Sequence, residues 1–352
     1  MKIITFSFRL WATLLVSLLA LTGVQGTTRE FYEALQMAVM KAKVGIDLSG
    51  YLGYGYGCPS ICSCPPQFPN AMSCEGQKLE KLPAIPQRIQ YLYLNNNQID
   101  EIKEDFFANA SGLSWLVMQY NNLVSDTISG SAFTHLEGLQ RLYLDYNSLS
   151  EIPGSLPTGL KELSINHNRL NKLDIGYLVN LTKLRINYNS LTDLGDSLKN
   201  LQSLKLFEAS GNKIKQLPLG LPTSLRQFYI EGNEIDSVSE DYFSSMSNLS
   251  YVRLSGNKLQ NSGVPSSVFN IPSLVELDLA YNNLSKVPLV SPNLKYLYLQ
   301  GNSIEELSPS SFCHSGSYSD LRVLRLDGNK IKRSDLPLGT YNCLQHAWEM
   351  LF

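Results

Sequence analysis

The chain of 352 residues has almost no excess of charge of either sign: 29 Lys and Arg against 31 Asp and Glu leave a net −2 at neutral pH. A nucleic-acid partner calls for a basic stripe, so that class is excluded. Histidine is scarce, at four residues. His135, His167, His314 and His346 are scattered, and none has a Ser, Cys or carboxylate at a catalytic spacing. There is no Walker loop and no Rossmann glycine pattern, and no cofactor or metal is expected. After the first two dozen residues no apolar run is long enough to span a bilayer. One carboxylate pair, Glu276 and Asp278, has the types a hydrolase uses, but its flanks repeat a general phrase and imply no cleft. The chain is expected not to be an enzyme.

What is abundant is one phrase, clearest at Leu139–Leu149: LQRLYLDYNSL, or Leu-x-x-Leu-x-Leu-x-x-Asn-x-Leu. Its Asn recurs at Asn97, Asn121, Asn147, Asn168, Asn189, Asn212, Asn233, Asn257, Asn282, Asn302 and Asn329, eleven copies at steps of 20 to 27 residues. That is the period of a leucine-rich repeat. Alternation in the strand sends both Leu side chains of Leu142-Tyr143-Leu144 inward and Tyr143 outward. A single copy cannot bury its leucines, so the copies must stack into a solenoid with a continuous core. The Asn amide, with donors and an acceptor, suits backbone groups where the chain leaves the strand. The expected fold is an α/β leucine-rich repeat solenoid. It has a curved parallel sheet on the concave face, a mostly extended or 3-10 convex side, and disulfide caps at both ends.

Residues 1–26 read as a signal peptide: Lys2 and Arg9 precede the apolar run Leu10–Leu21, and Val24-Gln25-Gly26 offers a cleavage point. The chain is therefore expected to be secreted. Residues 27–57 form a Tyr- and Gly-containing tail in which Tyr32, between Glu30 and Glu33, is a candidate for sulfation. A cap at 58–88 holds Cys58, Cys62, Cys64 and Cys74, spaced x3, x and x9. Such a cluster can be zinc ligands or disulfides, and the signal peptide selects disulfides, in any of three pairings. The repeats occupy 89–331 and a closing segment 332–352, with Cys313 and Cys343 flanking the last copy. Longer steps carry Phe107, Phe133, Phe243, Phe269 or Phe312, expected to fill the convex core. Shorter ones carry prolines such as Pro153, Pro157, Pro218 and Pro222, which fix an extended return.

Four sequons, at Asn109, Asn180, Asn248 and Asn283, are glycosylation acceptors expected at the edge or back of the coil. The concave face should display the residues flanking the strand leucines. These are Tyr91, Tyr93, Trp115, Arg141, Tyr143, Asp145, Glu162, Lys183, Arg185, Glu208, Tyr229, Glu231, Tyr251, Arg253, Glu276, Asp278, Tyr296, Tyr298, Arg325 and Asp327. Tyr and Arg anchor protein interfaces, and charge interleaved with aromatics suits an extended polar protein partner.

The signal peptide, the Cys-x3-Cys-x-Cys-x9-Cys cap, the eleven copies and the late cysteine pair together resemble the class II small leucine-rich proteoglycans. The segments RLYLDYNSLSEIPGSLPTGLKEL, VELDLAYNNLSKVPLVSPNLKYLYLQGN and LRVLRLDGNKIKRSDLP carry the likeness further. The resemblance implies pairs Cys58–Cys64, Cys62–Cys74 and Cys313–Cys343, and a protruding repeat around 302–320. It also implies keratan sulfate on N-linked sugars, fibrillar collagen as partner, and control of fibril assembly and diameter. Capture of a growth factor or innate-immune ligand is the alternative, and a homodimer remains open.

Overall fold

A computed structural model of the chain describes residues 57–313, 318–337 and 339–352. The signal peptide, Tyr32 and nearly all of the tail lie outside the described residues, as do residues 314–317 of the expected protruding repeat. Thirteen strands make one parallel sheet in strict sequence order. They are β1 (Ala71–Ser73), β2 (Tyr91–Tyr93), β3 (Trp115–Val117), β4 (Arg141–Tyr143), β5 (Glu162–Ser164), β6 (Lys183–Arg185) and β7 (Leu206–Glu208). There follow β8 (Gln227–Tyr229), β9 (Tyr251–Arg253), β10 (Glu276–Asp278), β11 (Tyr296–Tyr298), β12 (Val323–Arg325) and β13 (Glu349–Leu351). Every strand is three residues long, far too short to persist alone.

Two features let such short strands survive. The centre of each repeat strand is a fully buried apolar residue, Leu92, Leu116, Leu142 and so on to Leu324, and the residue after the strand is another, such as Leu94, Leu144 or Leu254. In β7 and β8 the centre is Phe207 or Phe228, whose rings stack at 5.9 Å, and the small Ala209 follows Phe207 at the next core position. The larger ring and smaller neighbour keep the coil's filling near constant.

The second feature is the Asn at the exit of each coil. Asn189 Nδ2 donates to the carbonyl of Ile186 in its own coil at 3.0 Å and to Ile165 in the preceding one at 2.9 Å. Its Oδ1 accepts the backbone N–H of Leu170 at 3.0 Å. The same trio recurs at Asn121, Asn212, Asn233, Asn257 and Asn282. Each amide thus satisfies backbone groups that the turn leaves buried and without ladder partners.

The convex returns are mostly irregular. Among the described residues they hold three 3-10 turns and one four-residue helix, Thr340–Cys343. Phe107, Phe133, Phe243, Phe269 and Phe312 are buried there, with Phe107 on Phe133 at 5.9 Å and Phe243 on Phe269 at 6.0 Å. At the N-terminal end Cys58 pairs with Cys64 and Cys62 with Cys74. Cys74 stands fully buried where later coils have Leu, so that bridge ties the first coil directly into the core. At the far end Cys313 joins Cys343. Strand β13 adds to β12, an element that no copy of the phrase announces.

Replacement of Asn189 by Ala should cost about 1–3 kcal/mol, the penalty for stranding a buried polar backbone group. It should be read as a lowered urea midpoint together with lost hydrogen-exchange protection at Leu170. Asn283→Ala, at an exposed position, should shift the midpoint by less than about 0.5 kcal/mol. Removing the Cys62–Cys74 bridge should cost about 2–4 kcal/mol, with protection lost first in β2 and β3.

Candidate binding face

The registers place the flanking residues in two columns across the sheet. One runs Tyr91, Trp115, Arg141, Glu162, Lys183, Leu206, Gln227, Tyr251, Glu276, Tyr296, Val323. The other runs Tyr93, Val117, Tyr143, Ser164, Arg185, Glu208, Tyr229, Arg253, Asp278, Tyr298, Arg325. All lie opposite the buried Leu/Phe row, so strand alternation alone sets their side. Asp145, Glu231 and Asp327 belong to a third column, one residue beyond the next core position.

The face divides by chemistry. Across β2–β4, Trp115 is packed by Tyr91, Tyr93 and Tyr143 at ring distances of 6.2, 6.2 and 5.9 Å. The Arg141 guanidinium lies over the indole at 4.8 Å, a cation–π contact. Across β4–β6, Glu162 receives Lys183, Arg141 at 3.8 Å and the Tyr143 hydroxyl at 2.9 Å. Burial alone would push the Glu162 carboxyl up, but the hydrogen bond and charge of Lys183, then Tyr143 and Arg141, hold it below the usual carboxylate range. Farther along, Arg185 pairs with Glu208 at 3.5 Å and Arg253 with Glu276 at 2.7 Å, while the Arg253 guanidinium covers the Tyr229 ring at 4.7 Å. Arg325 grips Asp327 through two nitrogens at 3.0 and 2.8 Å.

Around Arg253 the acids are in excess. Burial pushes the Glu231 carboxyl up, against the hydrogen bond it accepts from Ser210. Burial also pushes up Asp278, against the Ala280 N–H at 3.0 Å. Burial would lower Arg253, yet its bond to Glu276 raises it, so this guanidinium stays charged.

Two residues expected on display are withdrawn from solvent: Asp145 is 2% and Glu162 6% exposed. Asp145 accepts the Ser164 hydroxyl at 2.6 Å and the Asn166 N–H at 2.9 Å, and Gln119 reaches its other oxygen. Paired charges at this depth organise the face; they are not free to meet a partner. The third column continues as Asn166 and Asn187, whose side-chain oxygens each accept a backbone N–H of the next coil at 2.7 Å. This polar ladder was readable only by treating the position after the second Leu as a column in its own right.

The residue after that column, just before the consensus Asn, also escaped the sequence reading. It is left-handed in every coil. Gly211, Gly232, Gly256, Gly301 and Gly328 take φ of +61 to +70° there and Asn96 takes +59°, but Tyr120, Tyr146, His167, Tyr188 and Tyr281 take +51 to +55°. A side chain in that region costs roughly 1–2 kcal/mol per residue. Four of these rings stack along the sheet margin: Tyr120 on Tyr146 at 4.2 Å, Tyr146 on His167 at 4.2 Å, and His167 on Tyr188 at 4.4 Å. Gly211 ends the stack, since a Cβ there would meet the Tyr188 ring at 2.5 Å.

The four sequon asparagines are exposed and outside the strands. Asn180 and Asn248 precede β6 and β9, where their side chains bond Thr158 and Thr223 carbonyls at 3.0 and 3.1 Å. Asn283 lies just after a consensus Asn, and Asn109 in the return before β3. Among the described residues no helix is long and apolar enough to cross a membrane, and no group of three or more His, Cys, Asp and Glu could hold a metal ion.

Comparison with known proteins agrees with this architecture. The leucine rich repeat family model matches residues 87–149 and 223–284, and a two-copy leucine rich repeat model matches 272–311. Solved structures share the fold alone. A chain in an octameric complex of Latrophilin 3, Unc5D and FLRT2 has a TM-score of 0.64 at 24% identity over 83% of both chains. A leucine-rich repeat protein of Leptospira interrogans has a TM-score of 0.59 at 21% identity, over 76% of this chain and 73% of the other. Sequence likeness reaches much further with two kinds of relative. Fibromodulin of Bos taurus is 47% identical over 82% of this chain and 79% of its own length, and fibromodulin of Homo sapiens 46% over the same shares. Lumican of Coturnix japonica is 43% identical over 83% of this chain and 88% of its own. With that identity over four-fifths of its length, the chain belongs to the fibromodulin and lumican family, the class II small leucine-rich proteoglycans of the extracellular matrix.

Proposed function

We propose that this protein is a non-enzymatic, secreted matrix component that binds fibrillar collagen through its concave face and limits the assembly and diameter of the fibrils. The observation that carries this reading is the face itself: every strand from β2 to β12 contributes an aromatic ring or a partner in an ion pair, with no sequon among them. A collagen triple helix presents extended chains dense in imino acids and carries charges of both signs along its length. Aromatic rings fixed by their neighbours offer contact area at little entropic cost. Arginines and carboxylates already held in place lose little freedom when a partner charge approaches. Sugars on the exposed Asn109, Asn180, Asn248 and Asn283, extended as keratan sulfate in a proteoglycan of this family, would project from the edges and back and hold neighbouring fibrils apart.

Collagen fibrillogenesis followed by turbidity is the direct test. Addition of the protein should slow fibril growth and give thinner fibrils in electron micrographs. Tyr298→Ala should weaken binding roughly tenfold, a typical loss for an aromatic anchor, while Lys103→Ala, off the face, should leave it unchanged. Normal fibril growth at saturating protein, or capture of a soluble growth factor or immune ligand with no affinity for fibrils, would defeat the proposal.

A pH dependence follows from the acids around Arg253. Because burial raises the pKa values of Glu231 and Asp278, these two lose their charge first as pH falls, before ordinary carboxylates do. Affinity for collagen lysines and arginines should drop across that window. The Glu231→Gln, Asp278→Asn double variant should bind weakly above it and show a flatter profile within it; a profile identical to that of the unaltered protein counts against the acidic sector as a contact.

A further inference from the structure

The aromatic ladder at the sheet margin takes no part in the proposed collagen contact, yet five coils place a bulky ring where five others place the strain-free glycine and one places Asn96. Within it, Tyr120 and Tyr146 are the one pair of tyrosines, among the described residues, whose rings stack: the centroids are 4.2 Å apart and the planes 9° from parallel. Both rings are open to solvent, at 49% and 40% exposure. Their backbones are fixed, since the Tyr120 N–H bonds the Asp145 carbonyl and the Tyr146 N–H the Asn166 carbonyl, each at 2.9 Å. Matching φ values of 55 and 54° send the two side chains out of neighbouring coils in the same direction. Burial, and then the adjoining Tyr120 hydroxyl, push the Tyr146 phenol above its ordinary value. His167 backs the far face of Tyr146 at 4.2 Å, so the pair is held from one side and open along its edges.

We propose that Tyr120 and Tyr146 are an oxidative modification site, forming a dityrosine link within one molecule when a haem-peroxidase-type oxidant and hydrogen peroxide are present. Each phenol gives up one electron and its hydroxyl proton to become a phenoxyl radical. The radicals join through the carbons ortho to oxygen, making one carbon–carbon bond. Each of those carbons then releases its hydrogen as the proton that restores a phenol hydroxyl. In all, two electrons and two protons leave the tyrosines, and hydrogen peroxide, its O–O bond cleaved, takes them up to become two molecules of water. The stacked geometry favours this pair because each radical already faces the other's ortho carbons and needs only a tilt of the side chains. Tyr188 and Tyr341 are as exposed, at 56% and 45%, but Tyr188 stacks on a histidine and Tyr341 is not in the ladder. The resulting bond would join the third and fourth strands' coils, 26 residues apart in sequence, at the margin of the sheet.

The test treats the full-length secreted protein with a haem peroxidase and limiting hydrogen peroxide, then isolates the monomer. Dityrosine fluorescence should appear in the monomer fraction. Peptide mapping should find the Tyr120 and Tyr146 peptides joined, with the loss of two hydrogen atoms. Tyr120→Phe and Tyr146→Phe keep the ring stack and the fold but remove the phenol, and each should reduce the monomer signal to background; Tyr341→Phe should not change it. Treatment in urea, where the stack is gone, should also lose most of the signal. Dityrosine confined to multimers, a link mapping to other tyrosines, or a monomer signal undiminished in Tyr120→Phe or in urea would overturn the proposal.

Discussion

Everything in this molecule depends on closing a coil whose strand is three residues long. The strand supplies one buried apolar centre and a few ladder bonds, then the chain must leave the sheet through the core. At that exit, groups such as the Ile165 carbonyl and the Leu170 N–H would be buried without partners; the Asn189 amide reaches both. Because each amide spans its own coil and the one before, the stabilisation passes between neighbours and along the stack. The same dependence explains the disulfide caps. A terminal coil has a neighbour on one side only, and Cys74, buried in a leucine's place and bridged to Cys62, anchors the first one.

That constraint also explains why so much of the architecture can be read from one phrase. The period of the Asn gives eleven of the thirteen strands, and strand alternation gives the side on which Tyr143, Arg185 and Tyr298 stand. Cysteine spacing together with family likeness gives the pairs found at both ends. The limits are equally physical. Strands β1 and β13 carry no Leu-x-Leu-x-x-Asn signal, because Ala71–Ser73 and Glu349–Leu351 join the sheet through backbone pairing to β2 and β12, which does not require that phrase. Asp145 and Glu162 read as surface residues because type and parity say nothing of depth. They are buried because Ser164, Asn166, Lys183, Arg141 and Tyr143 from adjoining coils satisfy them, and such partners are set by register across 19 to 21 residues.

Burial of those pairs changes what the concave face can do. Exposed ion pairs contribute little and are easily screened, whereas Glu162 among three donors is held in one arrangement before any partner arrives. The face therefore resembles a set of fixed dipoles with tyrosines between them. Its sectors differ: aromatic over β2–β4, balanced ion pairs over β4–β7, and acid-rich around Arg253. A rod-like ligand crossing the arc would meet a different chemistry at each sector, so position along the solenoid can select orientation and register as well as partner.

The margin of the sheet follows a separate rule. Its turn demands a left-handed residue in every coil, and glycine meets that demand without strain. From β7 to β9 the chain uses glycine, leaving a bare margin; from β3 to β6 it uses Tyr, Tyr, His and Tyr. Once the first ring is accepted, the next coil places its own ring at the interstrand spacing of about 4.8 Å, close enough to stack, so each added aromatic recovers part of the backbone cost in ring contact. The run must then stop where a glycine makes room, as Gly211 does for Tyr188. Tyr281 shows the rule in isolation: no ring from a neighbouring coil stacks on it, it lies over Gly301, and it is the most exposed of these side chains at 63%. The stacked segment is thus a cooperative unit, whose rings keep their alignment because the backbone beneath them cannot choose another.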